Sequence, residues 1–255
     1  MDLLAELLRR TPPFKGKGRV LSHWVRTRSG QRTRVLPGGL SMSLDMTVPY
    51  EAMVWIGWEE QQELLALPRL LRPGDTFVDC GANIGLWSLV AAAIVGAQGR
   101  VEAFEASPGA AARLAENAKQ STAIRVHAAA LSDGPGTLRF DVGETHNVAR
   151  VSDDGAISVP ATTLDAALEG AVSGLKLDVE GHELQVLRGG ARTLENRPWI
   201  VVEFNKEHAG ARTLGEWPVH ELLAGLGYRA STVDGEPLEA GWMPRFGYAN
   251  VLYRV

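Results

Sequence analysis

The pattern of apolar and polar residues changes near residue 75. Beyond that point, short apolar runs alternate with longer stretches in which apolar residues recur at the spacing of a helix. The short runs predict strands, namely TFVDC, RVEAF, IRVHAAAL, GTLRFDV, LKLDV and WIVVEF. The longer stretches predict helices, namely IGLWSLVAAAIVG, PGAAARLAENAKQ, HELQVLRGG and PVHELLAGLG. Strands that alternate with helices predict a parallel sheet with helices on both faces.

The end of the chain departs from this alternation. Two further predicted strands, YRASTV and YANVLYRV, are separated only by the turn-like run DGEPLEAGWMPRFG. No crossover helix fits there, so we expect these two strands to be antiparallel. The predicted fold is therefore α/β: a doubly wound, mostly parallel seven-stranded sheet with helices on both faces and an antiparallel last strand.

Residues 1–70 are predicted to form an extension packed on this core, which comprises residues 71–255. Leucines at helical spacing predict a short helix over residues 3–8, which Pro12 and Pro13 end. The runs RVLSHWVRT and RTRVL, separated by RSGQ, predict a hairpin, and WEEQQELLALPRLL predicts another helix. The Leu-rich helix could serve a homodimer.

Composition limits the class of protein. The 255 residues include 26 Lys and Arg and 30 Asp and Glu, a net charge of −4, which disfavours a nucleic-acid partner. The single cysteine, Cys80, lies in a predicted strand and is expected to be a buried core residue, in a reducing compartment such as the cytoplasm. The longest apolar stretch, Leu86 to Ala97, is too short to span a bilayer, so we expect no integral membrane association.

The run DCGANIG joins the strand TFVDC to the next helix. Gly81 allows a sharp turn, and Gly85 allows the helix to approach the strand closely. In the dinucleotide fingerprint G-x-G-x-x-G, the middle glycine lets backbone touch a pyrophosphate. This chain has Asn83 there, and Asp79 just before the turn. Both residues disfavour a diphosphate and favour a ligand with an ammonium group and no phosphate.

Polar residues also follow the next two predicted strands. Glu105 directly follows RVEAF, at the end of the predicted strand, where a carboxylate can accept hydrogen bonds from both ribose hydroxyls. Ser132 and Asp133 follow IRVHAAAL, where an adenine edge would reach. A nucleoside joined to an amino-acid zwitterion without phosphate describes S-adenosylmethionine. Acidic residues at strand ends also cap helices, so spacing alone leaves a generic doubly wound fold as an equal alternative.

Six segments between about residue 75 and residue 205 resemble the FkbM family of class I S-adenosylmethionine-dependent methyltransferases, in the family's order. They are FVDCGANIGLWSLVAA, GRVEAFEASPGAAARLAENAK, VHAAALSDGPGTLRF, VPATTLDAAL, LKLDVEGHELQVLRGG and WIVVEFN. The most specific is DVEGHE after LKL. One departure is Ala106, where the family usually has proline after the ribose-binding glutamate; the ribose contact should survive it.

The resemblance implies a Rossmann-like methyltransferase fold and a set of cofactor contacts. The methionine part of S-adenosyl-L-methionine would be held by Asp79, Gly81, Asn83 and Gly85. Glu105 would hold the ribose, with Ser132 and Asp133 beside the adenine. The implied reaction is O-methylation of a hydroxyl on a small molecule, such as a sugar, a polyketide or a lipid-linked saccharide, with S-adenosyl-L-homocysteine as product.

Methyl transfer to an aliphatic hydroxyl needs alignment and a base that takes the hydroxyl proton. The candidates follow two strands, in LKLDVEGHE and VVEFNKEH: Asp178, Glu180, His182, Glu183, Glu203, Asn205 and His208. Asp178 is expected to orient the donor's amino group or the substrate, and Glu180 is favoured as base or substrate orienter. His182 and His208 are competing bases, because imidazole titrates near neutrality.

Several of these candidate residues also have a non-catalytic interpretation. Glu183 opens a helix, where a carboxylate favours the dipole, so capping is as good an interpretation as catalysis. His182 could only start that helix, and His208 could lie in a solvated loop. Lys176 alternates with apolar residues in a strand, and we expect it to pair with a carboxylate such as Asp178 or Glu203.

Two further features stay open at this stage. Side chains between 178 and 208 could bind a magnesium-like ion, but no spacing demands it, and no metal is assigned. The polar segment from Asp141 to Val159 could be a lid over the substrate, with His146 and Asn147 facing inward, or a flexible surface loop.

The favoured function is a small-molecule O-methyltransferase with a hydroxylated acceptor. A nicotinamide-dependent oxidoreductase is a rival, but it needs the glycine that Asn83 replaces. Methylation of a macromolecule or of another acceptor atom is a second rival, which the acidic composition disfavours for RNA. A non-catalytic scaffold on the same fold is a third, and acidic residues at three strand ends weigh against it.

Overall fold

The computed structural model describes residues 11, 23–24, 27, 29–57, 60–142, 149–152, 154–245 and 247–255. No helix among these residues is long and apolar enough to cross a membrane. The predicted Leu-rich helix lies outside the described residues, so the homodimer built on it stays a prediction.

The described residues form strands, α-helices and two short 3-10 helices, Gly96–Gln98 and Leu214–Glu216. The strands are β1 Gln31–Val35, β2 Ser41–Asp45, β3 Thr76–Cys80, β4 Arg100–Phe104, β5 Ile124–His127, β6 Ala130–Leu131, β7 Gly136–Val142, β8 Ala149–Val151, β9 Ile157–Thr162, β10 Gly174–Leu177, β11 Trp199–Asn205, β12 Arg229–Ser231 and β13 Tyr248–Arg254. The α-helices are α1 Pro49–Ile56, α2 Gln61–Leu70, α3 Leu86–Val95, α4 Pro108–Ala118, α5 Leu164–Ala167, α6 Glu183–Arg188, α7 Ala191–Glu195, α8 Lys206–Ala209 and α9 Pro218–Gly225.

The central sheet has seven strands in the order β12-β13-β11-β10-β3-β4-β5. From β11 to β5 the neighbours are parallel, and β13 is antiparallel to both β11 and β12. The predicted doubly wound, mostly parallel sheet with an antiparallel last strand is therefore confirmed. The order reverses between β3 and β10, so the carboxyl ends of these strands form the crevice where such sheets bind ligands.

Helices cover both faces of this sheet, as its alternating side chains require. Phe77 packs in an apolar cluster with α2 and α3, whereas the next residue, Val78, packs in a cluster with α6 and α9. Val201 and Val202 divide between the same two clusters. Cys80 is a fully buried free thiol whose pKa is raised by burial, which confirms its interpretation as a core residue.

A second sheet lies in the region where the sequence predicted fewer strands. It has the order β6-β9-β7-β8, with β6 parallel to β9 and β7 antiparallel to both β8 and β9. The run IRVHAAAL is two strands in different sheets rather than one. The segment 141–159 is not a continuous loop, because it contains β8 and begins β9; its residues 143–148, including His146 and Asn147, lie outside the described part.

The predicted hairpin around RSGQ is wrong. The hairpin pairs β1 with β2 across PGG, in register Gln31 to Asp45 and Val35 to Ser41. Of the proposed first strand, residues 19–22 and 25–26 lie outside the described part, and His23 and Trp24 are helical. Gly38 and Gly39 both have positive φ, at 89° and 94°, so the tight turn falls on the glycine pair.

Candidate active site

A cavity of about 380 Å³ opens at the carboxyl edge of the central sheet. The ends of β3, β4 and β10 form one side, and the end of β11 and the start of β13 form another. The second sheet and the segment before α2 complete the wall. The residues that line it are Tyr50, Glu60, Gly81, Ala82, Asn83, Leu86, Trp87, Phe104, Glu105, Ala106, Ala129, Ala130, Leu131, Phe140, Val151, Lys176, Asp178, Val179, Glu180, His182, Glu203, Asn205, Tyr248 and Asn250.

The turn after β3 has the shape that its two glycines allow. Gly81 has a φ of 79°, and a Cβ there would lie 1.8 Å from the carbonyl oxygen of Asp178. Only glycine therefore lets the turns after β3 and β10 come this close. Gly85 has a φ of 97°, and its Cβ would lie 2.7 Å from Leu114 of α4. The close approach at Gly85 is thus to α4 rather than to the preceding strand.

The carboxylate of Glu105 is tied to backbone on both sides. Its Oε2 accepts a hydrogen bond of 2.8 Å from the amide of Asn83, and its Oε1 accepts one of 2.8 Å from the amide of Ser107. Burial raises the pKa of Glu105, although these two amides lower it. Glu105 therefore holds the glycine turn in place and still lines the cavity with lone pairs that can accept further hydrogen bonds.

Lys176 is a buried cation beneath the cavity floor. Its Nζ donates to the Gly81 carbonyl and to Asp178 Oδ2, each at 3.1 Å, and lies 3.9 Å from Asp79 Oδ1. Burial alone would lower its pKa, but the carboxylates of Asp178, Asp79 and Glu60 raise it above the usual value. The predicted pairing of Lys176 with Asp178 is therefore confirmed.

Two buried acceptor oxygens near the glycine turn have no hydrogen-bond partner among the described residues: Asn83 Oδ1 and Asp79 Oδ1. The other oxygen of Asp79 accepts a bond of 2.6 Å from the Ser88 hydroxyl. A buried acceptor without a donor is costly, so Asn83 Oδ1, in a cavity-lining residue, fits a ligand that donates a hydrogen bond. An ammonium or hydroxyl group meets that requirement, and a phosphate does not.

Glu180 and His208 meet at the far side of the cavity. Glu180 Oε2 lies 3.0 Å from His208 Nδ1, an ion-pair distance, although the angle is not that of a hydrogen bond. Glu180 has a φ of 54° in the turn after β10, where the following Gly181 has a φ of 98°. Burial, followed by repulsion from Asp178, raises the pKa of Glu180 to about 7. This carboxylate can therefore exchange a proton near neutral pH.

His182 takes part in a different contact. Its Nε2 lies 2.9 Å from the hydroxyl of Ser132, which also donates to Asp133 Oδ1 at 3.3 Å. Burial lowers the pKa of His182, so a neutral ring is favoured at pH 7. The contact joins the turn after β10 to the end of β6, which makes His182 a link between two loops around the cavity.

Glu183 points to the backbone of its own turn. Its Oε1 accepts hydrogen bonds from the amides of Val179 and Gly181, at 3.2 and 3.0 Å, and its side chain does not line the cavity. Burial raises its pKa. Of the two interpretations of Glu183, this geometry favours the one that holds the helix start over the one that acts on substrate.

The predicted site residues divide into two groups in the structure. The cavity is lined by Gly81, Asn83, Glu105, Asp178, Glu180 and His182. It is not lined by Asp79, Gly85, Ser132, Asp133, Glu183 or His208. Near the end of β6, where the sequence analysis expected Ser132 and Asp133 beside an adenine, the wall is formed by Ala129, Ala130 and Leu131, and Asp133 is exposed.

Other residues of the wall were not assigned from the sequence. Glu60 is partly buried, and desolvation raises its pKa to about 7. Glu203 was one of several candidates; burial, followed by repulsion from Asp178, raises its pKa to about 9. Tyr50, Tyr248 and Asn250 come from segments outside the glycine and DVEGHE motifs, and only their position on the sheet edge identifies them. Among the described residues, no three His, Cys, Asp or Glu side chains are grouped to hold a metal ion.

The doubly wound sheet and the cavity at its switch point are of the Rossmann-like kind. Residues 79–230 match the family model described as the methyltransferase FkbM domain, which covers more than half of the chain. This chain therefore belongs to the FkbM methyltransferase family. It is 31% identical over 159 residues to the hexuronic acid methyltransferase AglP of Haloferax volcanii, over 59% of this chain and 63% of that relative. The match spans less than two thirds of the relative's length.

Solved structures give more distant similarities. The FkbM methyltransferase of Methylobacillus flagellatus KT is 17% identical, over 78% of this chain and 52% of that one, with a TM-score of 0.48. A Pyrococcus horikoshii protein described as a possible transferase is 13% identical, over 89% of this chain and 71% of that one, with a TM-score of 0.51. The second similarity supports the fold alone.

Proposed function

We propose that this FkbM methyltransferase uses S-adenosylmethionine to methylate a hydroxyl oxygen of a small molecule. The observation that carries the proposal is the arrangement of one cavity. The unpartnered Asn83 oxygen and the Glu105 carboxylate line this cavity together with the Glu180 carboxylate. The first two groups, here called the donor side, suit a phosphate-free nucleoside with an ammonium group; Glu180, here called the acceptor side, suits proton removal from an acceptor.

The donor side is formed by residues that accept hydrogen bonds. Glu105 would accept from the ribose hydroxyls, and Asn83 Oδ1 and the Asp178 carboxylate would accept from the ammonium group. Ala129, Ala130 and Leu131 offer an apolar wall to the adenine. When bound, S-adenosylmethionine supplies a methyl group made electrophilic by a positive sulfonium.

The acceptor side supplies the base. A hydroxyl is a weak nucleophile while it holds its proton, so the acceptor oxygen gains reactivity as that proton passes to Glu180. A pKa of about 7 leaves much of Glu180 ionised at neutral pH. His208, 3.0 Å from the carboxylate, is placed to orient it. The cavity wall around these groups would align the acceptor with the methyl group.

A sugar-like or related natural-product acceptor is supported by the relative from Haloferax volcanii, which is a hexuronic acid methyltransferase. The net charge of −4 gives no support for a nucleic-acid acceptor. The expected cytoplasmic location stays a prediction.

Titration calorimetry and a methyl-transfer assay test the proposal together. The protein should bind S-adenosylhomocysteine at one site per chain and should not bind NADH measurably. With S-adenosylmethionine and a panel of hydroxylated metabolites, it should produce S-adenosylhomocysteine and an O-methylated product. Binding of NADH without binding of S-adenosylhomocysteine would favour the oxidoreductase and end the proposal.

A further inference from the structure

The cavity is rich in carboxyl groups. Glu180, Glu203 and Glu60 line it in addition to Asp178, and these residues come from three separate segments of the chain. The aromatic and amide residues between them are Tyr50, Asn205, Tyr248 and Asn250. Carboxylates and amide oxygens accept hydrogen bonds, so this wall matches a ligand that presents many hydroxyl donors.

The cationic side chain in this wall is already engaged. Among the described residues that line the cavity, Lys176 is the one with a Lys or Arg side chain. It is only 4% exposed. Its ammonium group bonds to Asp178 and to the Gly81 carbonyl. It therefore has little capacity to pair with an anion brought in by a substrate.

Charge balance then disfavours an anionic acceptor. The raised pKa values of Glu60 and Glu180, both about 7, have burial as their largest cause; repulsion from Asp178 adds to it, and attraction to Lys176 opposes it. A carboxylate placed beside these groups would be repelled and would find no free cation among the described lining residues.

We propose that the acceptor is an uncharged hydroxylated ring, such as a neutral sugar, and that this cavity discriminates against a carboxylate-bearing one. The inference rests on the proposed function and narrows its substrate class. It also separates this chain from its relative named for hexuronic acid, since the described wall offers that acid no counter-ion.

Matched pairs of sugar glycosides test the inference. The 4-nitrophenyl β-glucoside and β-glucuronide differ only at carbon 6, which is the hydroxymethyl carbon in the first and the carboxylate carbon in the second; the galactoside and galacturonide form a second pair. We expect kcat/KM at pH 8.5 to be at least tenfold higher for a neutral member. The ratio of kcat/KM for the neutral glycoside to kcat/KM for the acidic one should be smaller at pH 6, where Glu60 and Glu180 are largely protonated.

A pair of variants tests whether the preference for the neutral glycoside arises from the carboxylates of the cavity. Glu60→Gln removes one carboxylate from the cavity, so it should lower the neutral-to-acidic ratio of kcat/KM at pH 8.5. Glu169→Gln removes the same charge from an exposed position outside the cavity and should leave the ratio unchanged. An equal change in both variants would contradict the inference, because it would trace the effect to the net charge of the protein.

The outcomes distinguish a failure of the charge inference from a failure of the proposed function. Preference for the acidic member would overturn the charge inference and leave O-methyl transfer standing. Transfer to no member, with S-adenosylhomocysteine bound, would overturn the sugar class alone. Absence of both transfer and S-adenosylhomocysteine binding would overturn the proposed function itself.

Discussion

Glu180 and His208 follow neighbouring parallel strands, and Glu180 Oε2 lies 3.0 Å from His208 Nδ1. Glu180 is in the turn after β10 and His208 is in α8, directly after β11. Because the parallel strands end at the same edge of the sheet, the two residues meet there, with Glu180 in the cavity wall and His208 next to it. This pairing makes Glu180 the strongest candidate for the base.

Activity should therefore rise with pH. The ionised form of Glu180 accepts the proton, so kcat/KM should increase up to about pH 7 and then level off. Glu180→Gln should lower kcat by about 10²- to 10⁴-fold, a typical contribution of a general base, and should remove the rising limb. Steady-state kinetics from pH 5 to 9 measure both effects.

The matched control is Glu207→Gln, which changes an exposed residue beside His208. It should retain the wild-type rate and pH profile. A Glu180→Gln variant with wild-type turnover would remove Glu180 from the reaction and leave His208 or His182 as the base.

Glu105 should have a double role. Glu105→Ala leaves the amides of Asn83 and Ser107 without acceptors, so it should lower the free energy of unfolding by about 1–3 kcal/mol and also weaken S-adenosylhomocysteine binding. Urea denaturation and calorimetry measure the two effects.

Glu102→Ala provides the comparison for that prediction. Glu102 is buried in β4, contacts His127 at 2.7 Å and does not line the cavity. Its loss should cost stability with little effect on ligand affinity. If the two variants lost affinity equally, Glu105 would have only a structural role.

Much of the central sheet was predictable because its strands are buried and their turns are marked by glycine. TFVDC and RVEAF form β3 and β4 as expected, and Gly81 has the positive φ that a sharp turn needs. The hairpin was misplaced because RSGQ and PGG are both turn sequences. Local residues could not decide between them, whereas the pairing of β1 with β2 does.

Lys176 should be essential to the fold. Lys176→Met would leave Asp178 and Asp79 without their buried counter-ion, so it should destabilise the protein by about 3–5 kcal/mol. Lys119→Met, at an exposed helix end, should change stability by less than about 0.5 kcal/mol. Chemical denaturation compares the two, and equal, small losses would contradict the buried ion pair.

The acceptor side was less predictable than the donor side. DCGANIG and DVEGHE are continuous in sequence, so Asn83 and Glu180 could be located from motifs. Glu60 directly precedes an amphipathic helix, and from the sequence alone it would be predicted to be a solvent-exposed glutamate. Its place in the cavity depends on how α2 packs against α3, which involves contacts distant in the chain.

Gly81 should tolerate no side chain. Gly81→Ala puts a Cβ into the Asp178 carbonyl at a φ of 79°, so it should destabilise the protein by more than about 2 kcal/mol and abolish ligand binding. Gly109→Ala lies in α4 with open space around its Cβ and should stabilise by about 0.5–1 kcal/mol. A Gly81→Ala variant that kept wild-type stability and affinity would contradict the close approach of the two turns.

A crystal structure with S-adenosylhomocysteine tests the cavity assignment most directly. We expect the ribose hydroxyls to donate hydrogen bonds to Glu105, the amino group to lie near Asn83 and Asp178, and the sulfur to face Glu180. Density for the ligand outside this cavity, or with its ribose away from Glu105, would contradict it.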